Sequence, residues 1–198
     1  RLGDARGLHH NPQTAPLPDT AATGAAPASE QVTVNCAAGS ATTLTDGGGN
    51  YHVTLNAALP CVITVASGGA SLHSLAYAGG TFNTTPETEL MLVYLAAQLG
   101  TNTAGLIGNF QGTLRYQRAM NSPDTVQAAQ SAVVTNLQQR YAVTLAAPAF
   151  LTTSFVVGQP GVDSDLVALG KAGAIDSNGL PDPVAVSLLQ QAGAAHPL

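Results

Sequence analysis

The stretch Gln31–Val65, QVTVNCAAGSATTLTDGGGNYHVTLNAALPCVITV, decides the fold of this chain. Val32 and Val34 alternate with Thr33 and Asn35 and lead into Cys36, the period-two pattern of a half-buried strand. A second short run, Thr42–Thr45, ends at Asp46-Gly47-Gly48-Gly49-Asn50, a cluster that reaches positive φ at little steric cost. Tyr51, Val53 and Leu55 then oppose His52, Thr54 and Asn56, and Cys61, Ile63 and Val65 mark the next strand. Leu72–Tyr77 supplies a fifth. Short strands with regularly spaced turn signals predict a small antiparallel β-sandwich. Cys36 and Cys61 lie at the edges of β-like runs on either side of the glycine turn, and we expect them to form a disulfide. Closing that loop would stabilise by about 3 kcal/mol in the chain-entropy account. The alternative is two buried free thiols; a redox role would need a Cys-x-x-Cys spacing that is absent.

Working outward, the period changes to helical at Thr84. Thr85 offers an N-cap, Pro86 the first helical position and Glu87 and Glu89 first-turn acids that favour the helix dipole. Leu90–Leu95 is apolar around most of that helix, which predicts burial on several sides, and Gly100 suits its C-terminal end. A second helix is predicted over Thr103–Met120, with Leu106, Ile107, Phe110 and Leu114 on one face. Gly105, Gly108 and Gly112 weaken it by roughly 1 kcal/mol each, so close helix packing is the expected compensation. Ser122, Pro123 and Asp124 open a third helix, with Val126, Ala129, Val133, Leu137 and Tyr141 at helical spacing. Residues 142–161 read as irregular or extended. Helices over Ser164–Ala172 and Pro183–Ala192, the latter capped by Asp182, close the chain. Before the sheet, residues 1–29 hold Pro12, Pro16, Pro18 and Pro27 among Ala, Thr and Gly, the composition of a flexible tether. The expected organisation is α+β: a tether (1–29), a disulfide-stapled β-sandwich part (30–82) and a helical part packed on it (83–198).

Only 9% of the 198 residues are Asp, Glu, Lys or Arg, against a usual level of about 25%. The net charge is −5, and no Lys or Arg occurs between Gly7 and Leu114. Nucleic-acid binding needs cations to displace phosphate counterions, so no nucleic-acid partner is expected. The same shortage argues against binding to anionic lipid surfaces. The longest strongly apolar run, Leu90–Ala97, falls well short of the ~20 residues of a membrane span. Arg1–His10 lacks the apolar core of a signal peptide, so an exported form is expected to be a mature or trimmed chain.

Catalytic signatures are weak. His9, His10, His52, His73 and His196 show no zinc-ligand spacing, and no metal or cofactor is expected. There is no GxSxG elbow, though a triad of distant Ser, His and Asp is a matter of geometry and stays open. Glu30, Glu87 and Glu89 are the only glutamates, and the last two read as helix-terminus acids and not as a glycosidase pair. Asp163 and Asp165 read as an N-cap and a first-turn acid. Asp176–Asp182 shares the acidic, glycine-containing look of calcium loops, but it has no glutamate at the closing position and reads as a turn.

The order Cys36-Ala37-Ala38-Gly39, Asp46–Tyr51, Pro60-Cys61, Leu72-His73-Ser74 and Asn83–Leu90 resembles betaproteobacterial putative lipoproteins of the Burkholderia type. The Asp-Gly turn into Tyr51 is also similar to carboxypeptidase-regulatory-like β-sandwich modules. The likeness spans about Val32–Gly100, with a weaker echo over Asp163–Leu189. It implies an exported, lipid-anchored envelope protein without catalytic activity, whose membrane contact runs only through a lipid on a cysteine of the native precursor; neither Cys36 nor Cys61 suits that role. The expected function is therefore a non-catalytic envelope or cell-surface protein, structural or interacting, and a surface-exposed antigen. A carbohydrate- or peptide-binding module and a hydrolase with a dispersed Ser/His/Asp site are the alternatives.

Overall fold

A computed structural model describes residues 14–20, 30–46, 49–56, 58–67, 70–156 and 158–198, with backbone alone for 14–20, 52–56 and 67. Six strands come first: β1 (Thr14–Thr20), β2 (Gln31–Ala38), β3 (Ser40–Leu44), β4 (Asn50–Asn56), β5 (Ala58–Ser67) and β6 (Ala70–Ala76). Six helices follow: α1 (Pro86–Gln98), α2 (Thr103–Asn109), α3 (Leu114–Met120), α4 (Pro123–Tyr141), α5 (Val162–Ala172) and α6 (Pro183–Ala194). The strands form a four-stranded sheet in the order β3-β2-β5-β6 and a two-stranded ribbon of β1 and β4, all antiparallel. The fold is α+β, and one apolar core runs from the sheet into the helices. Within the stretch expected to be a tether, Thr14–Thr20 pairs with β4; residues 1–13 and 21–29 lie outside the described residues.

Of the predicted glycine turn, Gly47 and Gly48 lie outside the described residues, and its two ends are bonded to each other. Asp46 accepts bonds from Gly49 N and, through Oδ1, from Asn50 N, and Gly49 adopts φ +77°. Across the sheet, three rows of side chains face the core: Val32, Val65 and Leu72; Val34, Ile63 and Ser74; Cys36, Cys61 and Ala76. The bonds Cys36 N to Gly39 O and Thr45 N to Glu30 O fix the alternation. By that alternation Cys36 and Cys61 oppose each other where no main-chain bonds cross, the position at which facing side chains approach most closely. Their Cα atoms are 3.8 Å apart, and the disulfide joins them.

Among the helices, α1 is buried around most of its circumference, against α4, α6 and β6. It begins in a reciprocal cap: Thr88 N donates to Thr85 Oγ1, and Thr85 N donates to Thr88 Oγ1. The helix predicted over Thr103–Met120 is instead broken. A 3₁₀ turn at Phe110–Gly112 and an extended Thr113 separate α2 from α3. A Cβ at Gly108 or Gly112 would meet nothing, so the expected compensation by close packing does not occur there. Phe110 is buried by the turn, Gln117 Nε2 donates to the carbonyls of Phe110 and Gln111, and Leu114 rotates out to 66% exposure. The close approach lies elsewhere: a Cβ at Gly193 of α6 would collide with the Tyr94 carbonyl and the Ala97 side chain of α1. α4 starts with the Ser122 cap and Pro123, and α6 with the Asp182 cap and Pro183, both as predicted. α5 starts two residues before Ser164. Its cap position is Gly161 at φ +124°, and Ser164 Oγ reaches back to Gly161 N from the third helical position. Asp163 is therefore not an N-cap; it lies inside the helix.

Candidate functional site

Two places gather polar side chains inside this protein. The first is the free edge of the sheet. β6 is a terminal strand, and by the ladder alternation the main-chain groups of His73 point away from β5. The first turn of α1 meets them: Thr88 Oγ1 donates to His73 O, and Glu89 Oε2 accepts from His73 N at 2.6 Å. The same carboxylate oxygen lies 2.9 Å from His73 Nδ1, and both side chains are half-buried. This carboxylate-oriented imidazole is the arrangement in the fold most like part of a catalytic dyad. No hydroxyl or thiol among the described residues bonds to the ring, and the Glu89 oxygen that meets it also closes the strand edge at His73 N. Glu89 sits in the first turn of α1, as predicted, but it faces a strand and not open solvent.

The second place is a polar seam around residues 142–161. That segment is irregular, as predicted, yet Leu145, Ala147, Phe150, Leu151 and Phe155 are buried. A buried segment without a ladder must find partners for its main chain elsewhere. Here side chains from three parts of the chain supply them. Gln138 Oε1 and Gln130 Oε1 of α4 accept from Leu145 N and Leu151 N. Asp165 of α5 accepts from Ala146 N and Ala147 N, one on each oxygen and both at 2.8 Å, and Asp163 Oδ2 accepts from Gly158 N. Asn83, ahead of α1, donates through Nδ2 to Phe150 O and Thr153 O and takes the Leu151 carbonyl on its own N–H. Ser74 Oγ donates to Asn83 O, and Tyr51 Oη lies within hydrogen-bond distance of Phe82 O and Thr84 Oγ1, tying the seam back to the sheet.

Glu87 adjoins this seam and behaves unlike its neighbours. The side chain is wholly buried, and neither carboxyl oxygen has a hydrogen-bond partner. Burial, with the nearby Asp165 carboxylate adding to it, holds its carboxyl well above the usual carboxylate range. The sequence reading of Glu87 as a dipole-favoured anion is thereby corrected. A helix terminus offers a carboxylate at most about 2 kcal/mol. Stripping an ion of water costs several. Desolvation outweighs the helix terminus, so burial opposes ionisation of Glu87.

Several other expected residues lie outside any site. Asp176 Oδ1 accepts from Asn178 N and Leu180 N in a turn. His196 Nδ1 bonds to Ala192 O. His9 and His10 fall outside the described residues, as does the side chain of His52. Among the described residues, no group of three or more His, Cys, Asp or Glu is placed to hold a metal ion. No single helix among the described residues is long and apolar enough to cross a membrane. The seam itself escapes sequence reading because Asn83–Thr88 is a polar run of the kind found at exposed caps, yet Asn83, Thr84, Thr85, Glu87 and Thr88 are all at 0% exposure. The available signal was indirect: residues 142–161 are apolar enough to be buried but carry no period that would satisfy a buried backbone.

No family model, characterised protein or solved structure matches this chain.

Proposed function

We propose that this is a non-catalytic exported protein of the cell envelope or cell surface, presenting its disulfide-bonded sheet in a structural or binding role and exposed as an antigen. The observation that carries the reading is the Cys36–Cys61 bond, which uses both cysteines of the chain on the core face of the sheet. Such bonds belong to oxidising compartments. Anchoring by a lipid on an upstream cysteine of the precursor follows from the resemblance to Burkholderia-type lipoproteins. A non-catalytic role is supported by where the polar side chains go: those of the seam are engaged with main-chain partners or, like Glu87, shut away from solvent.

Protein taken from its native cell envelope without reduction should be unreactive to maleimide after denaturation, with a mass two hydrogens below the dithiol. Alkylation of both cysteines before reduction would overturn the reading. Of the alternatives, a dispersed hydrolase draws on the His73–Glu89 pair, and unchanged hydrolysis of ester and peptide substrates in His73→Ala would end it. Glycan binding lacks a stacking surface, since all nine aromatic residues are buried or half-buried.

A further inference from the structure

Glu87 is the one wholly buried ionisable side chain whose two oxygens are both without a partner among the described residues. The elements around it bring no cation. α4 turns Val126, Ala129, Gln130, Val133, Val134 and Leu137 inward, and α6 turns Ala185, Leu189 and Gly193. α2 has no charged residue, and the Glu89 carboxylate of α1 itself is directed to His73 of β6. The charged group that does bear on Glu87 is Asp165 of α5, a like charge. Asp165 is also the residue that pins the start of the irregular segment, at Ala146 and Ala147. Beyond that bond and its apolar face of Val162, Leu166 and Leu169, α5 makes only slight contact with the other helices and strands.

We propose that Glu87 is a proton-operated latch: as a neutral acid it lets α1 and α5 close on each other, and its ionisation releases α5 together with residues 142–161 while α1 and the sheet stay folded. Ionised, Glu87 would face the Asp165 carboxylate across a buried seam that holds no cationic side chain among the described residues, a pair that cannot be kept buried. The weakest attached element then gives way, as locally opening units do. Opening exposes Glu87 to water, where its carboxyl returns to the ordinary range. The closed state binds one more proton than the open state between those two values. Closure is therefore fully favoured below about pH 4.5, the ordinary glutamate value, and is lost progressively as pH rises toward the elevated value of the buried group.

Hydrogen exchange on the intact, oxidised chain tests this. After correction for intrinsic exchange, the opening constant of 142–172 should rise about tenfold per pH unit across that window, with exchange in α1 unchanged. Glu87→Gln, which keeps the shape and cannot ionise, should remove the slope. Equal slopes in the two proteins, or α1 and α5 opening together, would overturn the proposal. Should Glu87→Gln fail to fold, Glu87→Met serves in its place. Independently of any variant, the Glu87 side-chain carboxyl ¹³C resonance should titrate above the ordinary value of about 4.5, and a midpoint at or below that value would also overturn it.

Discussion

The sheet and the 142–161 segment bury apolar residues equally well, but they are held by opposite means. In the sheet, each strand satisfies its neighbour's main chain, and a single covalent bond adds to a ladder that already pairs Cys36 with Cys61. The segment has no ladder. Its backbone is held by Asn83, Gln130, Gln138, Asp163 and Asp165, which come from three separate parts of the chain. A ladder is redundant and tolerates the loss of one side chain. A strap made of individual side chains does not, because each lost acceptor leaves a buried N–H without a partner.

That contrast gives an order of effects. Asp165→Ala should cost the most, about 3–5 kcal/mol in urea unfolding, because the buried Ala147 N–H and the part-buried Ala146 N–H lose a carboxylate acceptor at roughly 1.5–3 kcal/mol each. A loss below about 1 kcal/mol would mean that the segment is not held by this residue. Replacing both Cys36 and Cys61 by Ala should cost about 3 kcal/mol, read as a fall in the urea midpoint. The same double variant should leave exchange protection of 142–161 intact, and if it does not, the two regions are not separately held. Gly193→Ala tests the helical part on packing alone. Its new methyl group meets the Tyr94 carbonyl and Ala97, and we expect about 1–3 kcal/mol and a lower Tm. Glu89→Gln should have the smallest effect, about 1 kcal/mol, since a neutral amide oxygen still accepts from His73 N. Its signature would be faster exchange at His73 with α1 unaltered.

Legibility in the sequence follows the same division. Interactions between neighbours in the chain could be read: the alternation around Cys36, the Asp46–Asn50 turn, and the caps at Thr85, Ser122 and Asp182. The disulfide was legible because the chain has two cysteines, each at the edge of a β-like run and without redox spacing; that β2 and β5 pair across them was not. The break at Phe110 was not, because helical spacing continues through it and only the burial of that ring against more distant residues forces the turn. The seam was least legible of all. An acid at the start of α1 or α5 looks the same in sequence whether it faces water or, like Glu87 and Asp165, the interior. What decides is which distant segment folds over it, and residues 142–161 carry no pattern that says where they lie.

The bonds from Thr88 and Glu89 give the middle of the β6 edge a cover drawn from the same chain. With the His73 main chain already engaged by α1, an incoming strand finds no partner at that residue, whether from a second copy or an extended peptide. The opposite terminal strand, β3, is Ser40-Ala41-Thr42-Thr43-Leu44, with neither charge nor proline to repel a neighbour. β3 in turn lies against β4, so both terminal strands of the four-stranded sheet are partly covered by other parts of the same chain.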